Sequence, residues 1–138
     1  MKKENKEDFG RMGEESAASY LCGKGFHILG RNVRCGPLET DIIAADAEYI
    51  VFAEVKTRRA IPDKNLLRDR PAAAVTRGKQ MRLMAAAEAY LRAHKDSVAG
   101  LQPRMDVIEV YLSPTAEEYK VLHLVHLQSA IQKDRSTR

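Results

Sequence analysis

The chain has no tryptophan, three phenylalanines and five tyrosines among 138 residues, so aromatics make up only 6% of it. Cysteine is almost as scarce. Cys22 and Cys35 are too few for a disulfide scaffold and lack the CxxC spacing of a metal clip. They suit a reducing compartment in which both remain thiols, and are expected as ordinary packing residues. Long apolar runs are missing as well: the longest are strand-sized or broken by Lys, Arg and Glu, and the opening MKKENKED is nearly all charged and polar. The expectation is a soluble, unsecreted, cytoplasmic protein with no membrane partner.

What is present suffices for one core. At 44% hydrophobic residues, a chain of this length fits a single compact domain. The expected layout is a flexible N-terminus over 1–8, one domain over 9–128 and a polar tail over 129–138. The net charge of +4 is unevenly spread. From Lys56 to Arg82 nine basic residues stand against Asp63 and Asp69, a local +7 that leaves −3 for the rest of the chain. Such asymmetry is expected of a polyanion-binding face, although basic residues also populate ordinary solvated surfaces.

Pattern and punctuation give the order αβββαββ. A helix is expected from about Phe9 to Lys24, stopped by Gly23 and Gly25. Three strands follow, Phe26–Arg34, Leu38–Ala45 and Tyr49–Thr57, with turns at Cys35–Pro37 and Asp46–Glu48. Ala60–Pro71 reads as a mobile basic loop. Gln80, Met84, Ala87 and Leu91 mark one face of a helix from Thr76, a plausible N-cap, to about His94. Strands over Arg104–Leu112 and Tyr119–Leu127 close the chain. A helix between the third and fourth strands permits a parallel crossover, hence a mixed sheet with helices packed on it.

The second and third strands carry charges inside apolar runs, ETDIIAA and IVFAEVK. A buried charge costs several kcal/mol unless it is paired, hydrogen-bonded or metal-bound. Side chains alternate along a strand, so Glu54 and Lys56 share a face with Ile50 and Phe52. A short turn centred between Ala47 and Glu48 makes cross-strand partners number to 95, which sets Asp41 opposite Glu54 with Cβ atoms about 4.5–5.5 Å apart. Opposed carboxylates at that range need a divalent cation or a shared proton. Oxygen ligands without His or Cys suit Mg²⁺ or Mn²⁺. Lys56 stands where it could orient an attacking water. In the first helix Glu14 shares a stripe with Ala17, Ala18 and Leu21, whereas Glu15 turns away. Spacing alone decides neither whether Glu14 is functional nor whether Gln80, at the start of the second helix's apolar stripe, is.

Gly10-Arg-Met-Gly-Glu14, Ala17-Ala-Ser-Tyr-Leu21, Gly25-Phe-His-Ile-Leu29, Asn32-Val-Arg34, Glu39-Thr-Asp-Ile-Ile-Ala44, Val51-Phe-Ala-Glu-Val-Lys-Thr-Arg58, Lys79 and Arg104-Met-Asp106 together resemble the YraN family of small bacterial proteins. The resemblance runs from about Phe9 to about Tyr111. That family is similar to the PD-(D/E)xK nuclease superfamily, archaeal Holliday-junction resolvases in particular. It implies an α/β (α+β) restriction-endonuclease-like fold, αβββαββ, and metal-dependent phosphodiester cleavage. By position, Asp41 matches the motif's metal-binding Asp, Glu54 and Lys56 its (D/E)xK pair, and Glu14 the acid from the first helix. Where the family usually has Gly-Glu-Ile-Asp, this chain has Leu38-Glu-Thr-Asp41, so both acids persist while Gly and Ile are lost. That change bears on substrate approach more than on metal binding.

The resemblance therefore implies a Mg²⁺- or Mn²⁺-dependent nuclease with Glu14, Asp41, Glu54 and Lys56 catalytic. Asp41, Glu54 and the Val55 carbonyl would be ligands, with Glu39 and Gln80 in support. Arg58, Arg59, Lys79 and Arg82 would grip phosphates of a nucleic acid, DNA in preference to RNA. Scarce aromatics leave no stacking platform, so recognition by backbone shape is expected. A homodimer would suit a two-fold junction substrate. The alternative is a non-catalytic nucleic-acid or protein interaction module that keeps the nuclease fold. A third reading makes Glu54 and Lys56 a purely structural ion pair.

Overall fold

The computed structural model describes residues 6–60, 75–115 and 119–131. Most of the segment read as a basic loop, together with both chain ends, lies outside the described residues. Helix α1, Lys6–Gly23, starts before the expected Phe9 and ends in a Schellman closure. There the Phe26 N–H donates to the Leu21 carbonyl and the Gly25 N–H to that of Cys22, both at 3.0 Å, with Gly25 at φ 96°. Glycine adopts that backbone without a Cβ clash. The closure delivers Leu21 and Phe26 together into the core.

Strands β1 (His27–Cys35), β2 (Leu38–Ala45) and β3 (Tyr49–Arg59) follow as expected. Gly36, at φ 62°, turns β1 into β2. Asp46 turns β2 into β3: its Oδ1 accepts the backbone N–H groups of Glu48 at 2.8 Å and Tyr49 at 2.7 Å, an Asx turn. Helix α2, Arg77–Ala93, is capped by Thr76, whose hydroxyl accepts the Lys79 N–H at 3.2 Å. Strands β4 (Gln102–Pro114) and β5 (Tyr119–Leu127) complete the sheet. Its order is β1-β2-β3-β4-β5. Every neighbouring pair is antiparallel except β3–β4, which is parallel and joined through α2.

Strand alternation sorts the core into two layers. Ala17, Ala18 and Leu21 of α1 pack on Ile42, Ala44, Val51, Ala53, Ile108 and Val110. Ile43, Ile50, Phe52 and Val107 face the other way, with Ala87 and Leu83 of α2 in the clusters they form. The buried line of α2 is Leu83, Ala86 and Ala87; of the expected stripe Ala87 is buried and Met84 and Leu91 pack against the core clusters. Met84 and Leu91 are only half-buried at its margin, because the helix seats Tyr90 edge-on to Phe52, 5.8 Å between ring centroids. Cys22 is exposed, one position off α1's buried stripe, and so does not pack as expected; Cys35 is half-buried, and both are free thiols. No helix among the described residues is long and apolar enough to cross a membrane.

One irregularity positions everything that follows. β2 and β3 pair only from Ile42↔Ala53 to Ala45↔Ile50, in the expected register. Beyond Ile42 the strands part: β2 stays with β1 through Thr40↔Val33 and Glu39↔Arg34, and β3 stays with β4 as far as Arg59↔Leu112. The sheet forks there.

Candidate active site

Asp41 and Glu54 are the first residues of the fork, one on each prong. Both lie on the α2 face, because Asp41 shares the side of Ile43 and Glu54 that of Phe52. The Asp41 carboxylate accepts the Val55 N–H at 2.8 Å, taking over from the ladder bond that is no longer made. The N–H and C=O of a strand residue leave on the same side, so the Val55 carbonyl also faces the gap. Glu54 is buried, and its carboxyl group hydrogen-bonds to that of Asp41. Burial first, and then the Glu54 charge, push Asp41 from 3.8 up to about 7, against the pull of the Val55 N–H. Asp41 therefore holds its proton toward neutral pH.

Two lysines complete the centre. Lys79 Nζ lies 2.7 Å from Glu54 Oε1, and Lys56 Nζ lies 3.6 Å from the same oxygen. The hydrogen bond to Glu54 raises the Lys79 pKa above its ordinary value despite partial desolvation. Lys79, expected as a phosphate contact, is thus part of the acidic centre itself.

Glu14 approaches from the α1 side. Gly13 of α1 lies so close to β3 that a Cβ there would overlap the Thr57 hydroxyl. That contact carries the next residue to the fork, where the Glu14 charge adds to the upward push on Asp41. Asn32, in β1 at φ 49°, belongs to the family motif but was given no role from the sequence. With its NH₂ turned to the acids it donates to Glu14 Oε1 at 3.1 Å and Glu39 Oε1 at 3.3 Å. Glu39 also meets Arg34 at 3.5 Å across the β1–β2 ladder. An asparagine inside a strand, two residues after Gly30, was the available signal, since Asn tolerates this backbone better than other non-glycine residues.

The remaining candidates separate. Gln80 donates through Nε2 to the Val75 carbonyl at 2.9 Å, fixing the entry to α2. Arg58 Nε bonds Glu109 Oε2 at 3.0 Å, and Glu109 is fully buried. Glu109 was overlooked, although an acid inside VIEVYL breaks the same rule that marks Glu54. Arg59 and Arg82 are exposed. Arg104 and Asp106 lie on the opposite layer, where Asp106, fully buried, accepts Arg104 Nη2 at 2.9 Å, His126 Nε2 at 2.6 Å and the Ser129 N–H at 2.9 Å. Burial alone would push Asp106 up, but these hydrogen bonds hold it below its ordinary value. Tyr20 of α1 joins through the other His126 nitrogen at 2.9 Å, so this network ties α1 to β4 and β5.

Among the described residues no three His, Cys, Asp or Glu side chains converge as a ready-made metal cage. The donors at the fork nevertheless fit a hard divalent cation: two carboxylates forced together, a carbonyl beside them, and no sulfur or imidazole among them.

A profile of the uncharacterised protein family UPF0102 matches residues 13–110, from the Gly13–Thr57 contact to just past Glu109. The chain belongs to the UPF0102 family. A UPF0102 protein of Caldanaerobacter subterraneus is 42% identical over 114 residues, covering 83% of this chain and 88% of the relative. One from Chloroflexus aurantiacus is 37% identical over 129 residues, 94% and 97% of the two chains. One from Phocaeicola vulgatus is 45% identical over 101 residues, 73% and 77%. UPF0102 is the YraN group that the motifs resemble, and the α+β architecture with its five-stranded mixed sheet is restriction-endonuclease-like, as that resemblance implies. The UPF0102 match contains the whole fork and leaves out β5, which supplies His126.

Proposed function

We propose that this UPF0102 protein is a metal-dependent phosphodiesterase acting on nucleic acid, DNA in preference to RNA. The observation that carries the reading is the fork, which sets Asp41 and Glu54 in contact at the point where β2 and β3 part. Asp41, Glu54 and the Val55 carbonyl would hold Mg²⁺ or Mn²⁺. When bound, such an ion lowers the pKa of a coordinated water and offsets charge developing on a phosphate. Lys56, beside Glu54, would orient the attacking water. Glu14, steadied by Asn32, would accept a hydrogen bond from it. Arg59 and Arg82 contact phosphates, a task that requires charge and reach rather than base-specific geometry. The resemblance to junction resolvases favours DNA, branched duplexes included.

A cleavage screen over branched, duplex and single-stranded substrates with Mg²⁺ or Mn²⁺ tests this. Asp41→Asn and Glu54→Gln should abolish cutting. Lys56→Ala should lower it by roughly a hundredfold with little loss of melting temperature, because Lys79 still neutralises Glu54. No metal-dependent cutting of any substrate by the parent would sink the enzymatic assignment. The second reading, a binding module that retains the fold, is favoured by one observation: a lysine already occupies Glu54. Binding without cleavage would establish it.

A further inference from the structure

The two lysines on Glu54 Oε1 arrive by different routes. Lys56 is carried by β3, two residues from Glu54 on the same face. Lys79 reaches in from the first turn of α2, where no acidic residue accompanies it. A cation is poorly placed at a helix N-terminus, whose partial charge is itself positive. Its own helix therefore gives no reason for a lysine there. The reason is Glu54, and Lys79 makes the shorter contact of the two, 2.7 Å against 3.6 Å. A divalent ion bound to the same oxygen at about 2.0–2.1 Å would meet the Lys79 ammonium at a separation where like charges repel strongly.

We propose that Lys79 is a built-in counter-ion that holds the Glu54 carboxylate until a divalent cation takes its place. The displaced ammonium then becomes available to a phosphate. This rests on the reading of Asp41 and Glu54 as cation ligands. The Lys79 side chain is 40% exposed, so it leaves Glu54 without breaking a packed core, and the Thr76 cap keeps the helix end in place as it moves. Release of Lys79 makes cation and phosphate binding mutually favourable, since coupling between two ligands is reciprocal. Metal loading thereby readies the face for a polyanion.

Calorimetric titration of the full chain with Mn²⁺ alone, with no nucleic acid present, provides the test, and thermal melts confirm that each variant is folded. Lys79→Met should bind Mn²⁺ about tenfold more tightly than the parent, within the usual range of coupling between sites. Lys79→Gln, which keeps length and hydrogen-bonding capacity without charge, should shift affinity the same way. Arg92→Met removes a cation from the last turn of the same helix and should change affinity far less. Binding by Lys79→Met where the parent binds nothing would support the proposal equally. An unchanged or weaker affinity in both Lys79 variants, with the parent binding, overturns the counter-ion role and leaves the cation site standing. Equal tightening by Arg92→Met overturns it too, since a general field effect would then suffice. If neither the parent nor the Lys79 variants bind Mn²⁺, both readings fall. In the parent, Mn²⁺ should also speed acetylation of Lys79, read by peptide mass spectrometry, while the exposed Lys95 is unaffected; an unaltered Lys79 rate contradicts its release.

Discussion

Asp41 keeps a proton that an unfolded chain would give up. Its folded value of about 7 lies above the ordinary 3.8, with burial and the Glu54 charge as causes. Below the unfolded value both states are protonated and the stabilisation linked to this group is complete. As pH rises toward the folded value the unfolded chain loses the proton first, so stability falls across that window and the contribution is gone above it. Asp41→Asn removes the titration. Its melting temperature should stay flatter than the parent's from about pH 4 to pH 7 and be higher at neutral pH. Parallel pH profiles for the two proteins would rule Asp41 out as the group responsible. Mn²⁺ competes with the same proton, so its stabilising effect on the parent should grow with pH over this window.

Between elements, α1 lies close enough to β3 at Gly13 that a Cβ there would overlap Thr57. Gly13→Ala forces the helix outward and should cost about 1–3 kcal/mol, the usual range for overpacking. It should also shift Glu14 away from Asp41, so the Asp41 pKa, followed by carboxyl NMR, falls together with the melting temperature. Thr57→Ala, which removes the overlapping hydroxyl, should recover part of both, and failure to do so would place the strain elsewhere. What could be read from the sequence follows the same division between local and distant contacts. The β2–β3 register came from strand alternation and a short turn, both local, and the structure keeps it from Ile42↔Ala53 to Ala45↔Ile50. Glu14 stood out because Ala17, Ala18 and Leu21 fix which side of α1 is buried. The Lys79–Glu54 and Arg58–Glu109 pairs were not legible, because each depends on where the crossover lays α2 and β4 against β3. Asn32 was hidden by a backbone conformation that strand periodicity does not encode.

At the scale of the whole molecule, several of the described cations of the basic segment are turned toward the protein's own acids. Arg58, Lys56 and Lys79 face acids, and Arg59 and Arg82 of the expected phosphate set are exposed. Nucleic-acid binding should weaken with salt, and Arg59→Ala with Arg82→Ala should reduce the slope of log K against log salt by about 0.9 per lost contact on duplex DNA, with the same loss for every sequence. An unchanged slope would remove this face from the interface. The fork also bears on the order in which the chain folds. The β2–β3 ladder closes over the three residues Asp46–Glu48, whereas α2 and β4 join it only through the long crossover that follows β3. Local contacts form early and distant ones late. Asp41 and Glu54 therefore confront each other while the hairpin is young, before Lys79 has docked, and the barrier to folding includes a repulsion that Lys79 offsets only in the finished protein. Mild acid lowers that barrier by supplying the proton that Asp41 later keeps, so the chain should refold faster under conditions that also favour its native state.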